Sequence, residues 1–379
     1  MNRRAFLAAA AALPAAGSAL AQPAPRTRWT VTSSVGFDAI AFLGPLSGKP
    51  LYAPRYVAET QAFAPRVTPA MKTALTRLQD RADASGKLLW PTLANVLSYG
   101  PSDTIDDLLA SLGDLDRRVL PNLKSSSHWD EQSWAFVAGG REDASTVLRE
   151  LQAGDFASFR AGLVGDRLET RGPGLLASLA PYDVIAEQER LIGRRLDPTI
   201  HVVLLWFSQP HAASVGGQRS LSHFGYPSQT VVRIVAHEML HPPFPMDGPA
   251  ATAALAVLEA DPLMQRVLKE HDPGFGYNTM DGILNEDTVE ALDQIVSERL
   301  GVARDPAERW RTADDGMHIL AAALYGMLKA EGYDQTGGNI EAWMAQAVRA
   351  GKLAPERIRT FAGQVTKTAP DQLWPRAKA

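Results

Sequence analysis

The sequence contains no cysteine among its 379 residues, and this absence excludes several kinds of site. A disulfide framework, a cysteine nucleophile, a zinc site with thiolate ligands and a lipid-modified cysteine are all ruled out. Any metal must therefore be bound by His, Asp or Glu, and the chain has only eight His. Long blocks of one charge sign are also lacking. The 38 basic and 42 acidic residues give a net charge of −4, so the sequence carries no electrostatic signature of nucleic-acid binding.

Long apolar runs are scarce as well. Beyond the first 21 residues, no segment approaches the roughly 18 consecutive apolar residues of a transmembrane helix, so we expect no stable membrane insertion once those residues are cleaved. Hydrophobic residues nevertheless make up 45% of the chain and charged residues 21%. This composition is sufficient for a large core and excludes global disorder.

The first residues have the pattern of an export signal. Arg3 and Arg4 precede a weakly apolar, Ala-rich stretch at residues 6–20. The adjacent arginines resemble the bacterial twin-arginine signal, which carries folded proteins across the inner membrane. The pattern therefore predicts a cleaved signal peptide at residues 1–21 and a periplasmic or secreted protein. The Pro-rich residues 22–28 are predicted to form a flexible leader.

The remaining chain predicts an α+β fold that is mostly helical, with a small sheet packed on one helix. Residues 29–195 have mostly helical apolar spacing, broken by Pro and Gly clusters. The apolar run at 200–207 predicts a buried strand, which a Gly- and Ser-rich loop follows. A helix is predicted to begin near Ser228 or Thr230, and further helices fill the rest of the second region, residues 196–379.

Residues 237–241 read His-Glu-Met-Leu-His within that predicted helix. Two histidines four positions apart lie on the same face of a helix, so His237 and His241 can reach one metal ion. Zinc lowers the pKa of the water that it binds, and Glu238 stands where it could accept a proton from that water as general base. The alternative is a buried helix with two unrelated histidines.

This motif resembles the hallmark of the zincin metallopeptidases, and the resemblance covers about residues 195–300. It implies a zinc-dependent peptidase that acts on peptides or proteins, with an apolar edge strand that lines the substrate cleft. The chain departs from the usual pattern where Pro242 and Pro243 directly follow His241. The helix must therefore end at this point.

A catalytic zinc needs a third protein ligand, and the sequence leaves several candidates open. In the gluzincin, or thermolysin-like, branch of the zincins, a Glu on a later helix supplies it, and residues 285–290 (Asn-Glu-Asp-Thr-Val-Glu) resemble that segment. The resemblance implies that Glu286 binds the metal. It also implies that Glu290 contacts a metal-binding histidine without binding the metal itself. Asn285 is the predicted cap of this helix.

The competing ligand is Asp247, at the third-ligand position of the metzincin pattern, although Phe244 replaces the glycine of that pattern. His271 and His318 are further alternatives. Tyr277, nine residues before Glu286, resembles a thermolysin tyrosine that stabilises the oxyanion, and His318 is a second candidate for a catalytic role.

These features predict an exported zinc metallopeptidase with zinc as its cofactor. The alternative hypothesis is a periplasmic binding or scaffold protein that keeps a zincin-like fold with little or no hydrolysis. The sequence carries no indication of substrate specificity or oligomeric state.

Overall fold

The computed structural model describes residues 25–375 of the chain. The predicted signal peptide at residues 1–21 and the first part of the leader lie outside the described residues. Within the described part, helices surround one small mixed sheet, which confirms the predicted α+β class. No helix in this part is both long and apolar enough to cross a membrane.

The sheet has four strands: β1 (Arg28–Ser33), β2 (Thr199–Leu205), β3 (Ala213–Val215) and β4 (Arg219–His223). Their spatial order is β1-β2-β4-β3. β1 and β4 pair with β2 in parallel, and β3 pairs with β4 antiparallel. The register places Val31 opposite Val202, Leu204 opposite Ser222, and Ser214 opposite Ser220.

The predicted buried strand at 200–207 is confirmed as β2, whose residues 202–205 are all buried. It is a central strand, because β1 and β4 pair with its two edges, so it is not the edge strand that the zincin resemblance implies. The edge strand beside the histidine motif is instead β3, which lies in the stretch predicted to be a loop. Its three residues are too few to give an alternating pattern. The hairpin turn that follows uses left-handed backbone at Gly217 and Gln218.

The predicted flexible leader is also corrected at its C-terminal end. Asp183 accepts hydrogen bonds from the backbone N–H groups of Arg26 and Thr27, each at 2.8 Å. Arg28 is already the first residue of β1. The chain is therefore held in place from Arg26 onward.

The helices between β1 and β2 form the N-terminal layer. They are α1 (Val35–Leu46), α2 (Val57–Phe63), α3 (Pro69–Ser85), α4 (Leu89–Leu97), α5 (Ile105–Gly113), α6 (Leu115–Arg118), α7 (Leu120–Lys124), α8 (Glu131–Ala153), α9 (Phe156–Val164), α10 (Arg167–Leu179) and α11 (Val184–Ile192).

The helices after β4 are α12 (Ser228–Glu238), α13 (Pro249–Glu259), α14 (Pro262–Glu270), α15 (Met280–Arg299), α16 (Pro306–Thr312), α17 (Ile319–Ala330), α18 (Tyr333–Thr336), α19 (Ile340–Arg349) and α20 (Pro355–Thr366).

The sheet lies between two hydrophobic cores. Alternate residues of β2 serve each core: Val202 and Leu204 face the core formed with α10–α20, and Val203 and Leu205 face the core formed with α1–α9. Burying one such side chain contributes about 1.5–3 kcal/mol. The predicted division at residues 195/196 therefore does not separate the cores, since β2 belongs to both and α10 and α11 pack with the C-terminal helices.

Two helices position the histidine motif. α12 buries Val231, Val232, Val235 and Ala236 and ends at Glu238, one turn earlier than the motif suggests. The side chain of Gln188 donates to the carbonyl of Ala236 at 3.0 Å, which satisfies a carbonyl that the short helix leaves free.

α15 is the second of these helices, and it begins earlier than predicted. Its cap is Thr279, whose hydroxyl oxygen accepts a hydrogen bond from the backbone of Gly282 at 3.0 Å. The prediction that Asn285 caps this helix was therefore wrong. Asn285 and Glu286 lie inside the helix, so the buried Glu286 carboxylate does not serve a helix terminus.

Candidate metal centre

The end of α12 and the middle of α15 bring His237, His241 and Glu286 together. The Nε2 atoms of the two histidines are 3.1 Å apart. One carboxylate oxygen of Glu286 lies 3.4 Å from Nε2 of His237, and the other lies 3.5 Å from Nε2 of His241. The Glu286 side chain is 9% exposed, whereas those of His237 and His241 are 18% and 21% exposed.

These separations fit a zinc ion. Ligands placed tetrahedrally about 2.0–2.1 Å from zinc lie roughly 3.3 Å from one another. The three contacts between these residues, at 3.1, 3.4 and 3.5 Å, are close to that separation, with one carboxylate oxygen of Glu286 beside each histidine. Two imidazoles and one carboxylate also form a donor set typical of catalytic zinc, which keeps a further position open.

Each histidine is oriented by a hydrogen-bond acceptor that contacts its second ring nitrogen, Nδ1. Nδ1 of His237 lies 2.8 Å from Oδ2 of Asp293, and Nδ1 of His241 lies 3.2 Å from Oδ1 of Asn285. Because these oxygens accept a hydrogen bond from Nδ1, they direct both Nε2 atoms towards Glu286. Such outer partners are a regular feature of metal-binding histidines.

Behind the histidines lies a buried ionic cluster around Arg309. Its guanidinium bonds both carboxylate oxygens of Asp293 and lies 2.8 Å from Oε1 of Glu290. The indole N–H of Trp310 donates to the other Glu290 oxygen at 2.8 Å. The implied placement of Glu290 beside one of these histidines is therefore corrected: the carboxylate that contacts His237 is that of Asp293, and Glu290 bonds Arg309 and Trp310.

A second grouping, of His237, Glu290 and Asp293, also brings three donor atoms within 4.8 Å of one another. Both of its carboxylates are already ion-paired with Arg309. Arg309 also lowers the pKa of the Glu290 carboxyl, although burial opposes this shift. We therefore assign the candidate metal position to the group that contains Glu286.

The electrostatics of the cluster favour a cation. Burial raises the pKa of Glu286. Burial opposes charge on His237 too, but Glu286 and Asp293 outweigh it and raise the pKa of His237 to about 10. Burial and the neighbouring charge of His237 lower the pKa of His241 to about 4. The carboxylates of Glu286 and Asp293 therefore favour positive charge at this position.

Glu238 lies beside this cluster and is held by the sheet. Its Oε2 atom accepts a hydrogen bond from the backbone N–H of Ser214 in β3 at 2.8 Å. Its charge acts on both His237 and His241. The edge strand β3 therefore fixes the orientation of the Glu238 carboxylate, which the motif at residues 237–241 predicts to be the general base.

Tyr277 and His318 also lie near Glu286, because both act on its carboxyl group. Their rings meet edge to face with centroids 5.6 Å apart. Burial and the adjacent Glu286 carboxylate raise the pKa of Tyr277 well above its usual value, which keeps the hydroxyl protonated. Tyr277 is thus placed at the cluster as a hydroxyl donor.

His318 is occupied on both nitrogens. Nδ1 lies 2.7 Å from Asp287 and Nε2 lies 3.0 Å from Asp314, whose backbone is left-handed with φ of 44°. Although burial opposes it, these two carboxylates raise the pKa of His318 well above its usual value. His318 is therefore a charged imidazolium without a free N–H group, so in this arrangement it acts on Glu286 only through its charge.

The structure does not bring the competing ligands to the cluster. Asp247 is exposed, and His271 is buried with Nδ1 3.0 Å from the carbonyl oxygen of Val267. Neither belongs to a metal-binding group among the described residues.

Sequence reasoning missed several residues of the site: Asp293, Arg309, Asp287, Asp314 and Ser214. Of these residues, Asp293 could most readily have been predicted from the sequence, because it follows Glu286 by two helical turns and so lies on the same face of the helix. Asp287 follows Glu286 directly, but its contact with His318 depends on packing between separate elements. Arg309, Asp314 and Ser214 also join the site only through such packing.

Comparison of the chain with models of known protein families, with curated proteins and with solved structures finds no match.

Proposed function

We propose that this protein is a zinc-dependent metallohydrolase that cleaves peptide bonds. The observation that carries the proposal is the donor spacing of His237, His241 and Glu286 at the end of α12. The resemblance of residues 237–241 to the zincin motif supports the same chemistry. The export pattern at residues 1–21 supports a periplasmic or secreted location.

A zinc ion held by these three residues would lower the pKa of its water and polarise a substrate carbonyl. The protein's own groups divide the remaining tasks. Glu238 accepts a proton as general base and returns it to the leaving amine, and the N–H of Ser214 holds that carboxylate in place. The hydroxyl of Tyr277 can donate a hydrogen bond to the oxygen on which negative charge develops.

The test measures zinc content and hydrolysis on the same samples. Wild-type protein is expected to retain one zinc ion per chain after dialysis and to cleave members of a broad peptide library. Glu238→Gln is expected to retain the zinc and to lose hydrolysis by at least about 100-fold, because the general base is removed. Glu259→Gln, which changes an exposed acid on α13, serves as the matched control.

If zinc-loaded wild-type protein cleaves no peptide in the library, the peptidase proposal is overturned, and the binding or scaffold alternative becomes the better hypothesis. If the wild type retains no zinc, the proposed metal centre itself is wrong.

A further inference from the structure

The outer edge of β3, next to the candidate metal centre, is already hydrogen-bonded to side chains. The N–H of Ser214 donates to Glu238 at 2.8 Å, and its carbonyl accepts from the side chain of Asn95 at 3.1 Å. The N–H of Gly216 donates to the hydroxyl of Ser98 at 2.9 Å. A peptide that added a strand to β3 would need these same backbone groups.

The helix that covers this edge is part of the core. Asn95 lies on α4 and Ser98 directly follows it, while the opposite face of the helix is buried, with Trp90, Leu93 and Leu97 at most 2% exposed. α4 therefore cannot leave β3 without uncovering large apolar side chains, so we treat it as a fixed wall.

The contact between α4 and the β3–β4 turn is close. A Cβ atom added at Gly216 would lie 3.1 Å from the ring of Tyr99 and 3.2 Å from the hydroxyl oxygen of Ser98. Arg219 joins the two elements by donating to the carbonyls of Ser98 and Gly216, each at 2.7 Å. The absence of a side chain at Gly216 is what permits this approach.

A second contact joins the two sides of the site. Asn278, which follows Tyr277, donates from its side chain to the carbonyl of Gly86 at 3.3 Å, in the turn that precedes α4. The same side chain donates to the carbonyl of Pro273 at 3.2 Å.

We infer that the substrates are short peptides or chain ends that reach the metal centre without adding a strand to β3, and that Asn95 and Ser98 impose this specificity. This inference rests on the proposed function. It differs from the cleft that the zincin resemblance implies, in which the edge strand lines the bound substrate. A chain end presents few backbone groups, so it does not need the hydrogen bonds that β3 has already used.

Amide hydrogen exchange tests the closure of β3 independently of activity. In the wild-type full chain, the amides of Ser214 and Gly216 are expected to be protected. Ser98→Ala is expected to speed exchange at Gly216 about tenfold, because its acceptor is lost. Ser85→Ala is the matched control, since its hydroxyl bonds only carbonyls of its own helix. If Gly216 exchanges in the wild type like an unprotected loop amide, the closure is disproved, even if Ser98→Ala does not fold.

Substrate length tests the specificity. Zinc-loaded wild-type protein is given dipeptides and tripeptides with free ends, and decapeptides with the same central residues and both ends blocked. Because three backbone hydrogen bonds to β3 cannot form, kcat/KM for the blocked decapeptides is expected to be lower by about 100-fold.

Efficient internal cleavage of the blocked decapeptides would overturn the inference and support the proposed peptidase function. If neither series is cleaved while zinc is bound, the proposed function fails and the substrate class fails with it. Exchange at Gly216 then still decides whether the edge of β3 is closed.

Discussion

Oδ2 of Asp293 lies 2.8 Å from Nδ1 of His237, and the same carboxylate is bonded by the guanidinium of Arg309. This arrangement links the candidate metal centre to a buried ionic cluster on α15 and α16. It also sets the tautomer of His237, because a carboxylate beside Nδ1 requires the proton on that nitrogen and directs Nε2 to the metal position.

Asp293→Asn is therefore expected to weaken zinc binding by about 10–100-fold while the chain stays folded, since an amide oxygen is a poorer acceptor than a carboxylate. Competition with a chelator of known affinity measures the effect. Glu298→Gln changes an acid on the same helix that bonds Tyr325 and Lys329 instead, and it is the matched control. Unchanged zinc affinity in Asp293→Asn would show that this contact does not orient a ligand.

The third ligand is tested by comparing two acids. Glu286→Ala is expected to lower zinc affinity by at least about 100-fold, more than the loss of an outer partner, because it removes a direct donor. Asp247→Ala is expected to leave the affinity unchanged, since Asp247 is exposed and outside the cluster. Zinc content after dialysis distinguishes the two ligands, and the opposite result would favour the metzincin pattern.

The anchor of the N-terminal segment predicts a dependence of stability on pH. Burial opposes charge on Asp183, but hydrogen bonds from Arg26, Thr27 and Ala186 prevail and lower its pKa. An acid with a lowered pKa stabilises the fold above its unfolded pKa of about 3.9, and this contribution is lost as the pH falls through the folded value. Asp183→Asn is therefore expected to lower Tm at pH 6, with a difference that shrinks below about pH 4.

Thermal unfolding of the wild type and Asp183→Asn at several pH values measures this effect. Asp116→Asn, at an exposed position of α6, is the control. A Tm difference that stays constant down to pH 2 would mean that the charge of Asp183 contributes nothing.

A second buried pair connects the end of β2 to the N-terminal layer. Asp38 is fully buried, bonds Nε of Arg160 at 2.6 Å, and accepts the backbone N–H groups of Trp206 and Phe207. Asp38→Ala is expected to cost about 3–5 kcal/mol, because it leaves Arg160 buried without its counter-ion. Urea unfolding measures this cost. If Asp38→Ala and Arg160→Ala are strictly additive in a double-mutant cycle, the pair is not coupled.

Local sequence patterns predicted the α+β class and the helix that leads into the histidine motif. They were weaker at the ends of elements. Thr279 rather than Asn285 begins α15, because both residues are good caps and only the packed structure selects one. The short strand β3 could not be recognised, since three residues carry no periodicity.

Within the site, spacing alone predicted that His237, Glu238 and His241 are neighbours. That relation is local, because the three residues span only five positions of the chain, although α12 ends at Glu238 and His241 lies just beyond it. The zincin resemblance nominated Glu286, and the structure places it beside both histidines. The same resemblance misassigned Glu290, because the side chain that faces His237 depends on how α15 is rotated against α12.

The sequence by itself therefore limited the ligands that this protein can offer: without cysteine, any metal must be bound by histidine or carboxylate, and residues 237–241 predict where. Only the tertiary structure decided which carboxylates join the histidines, and that α4 closes the edge of β3. Asn95 and Ser214 are 119 residues apart, and Asp293 and His237 are 56 apart. Contacts over such distances depend on the packing of helices against the sheet, which local patterns do not encode.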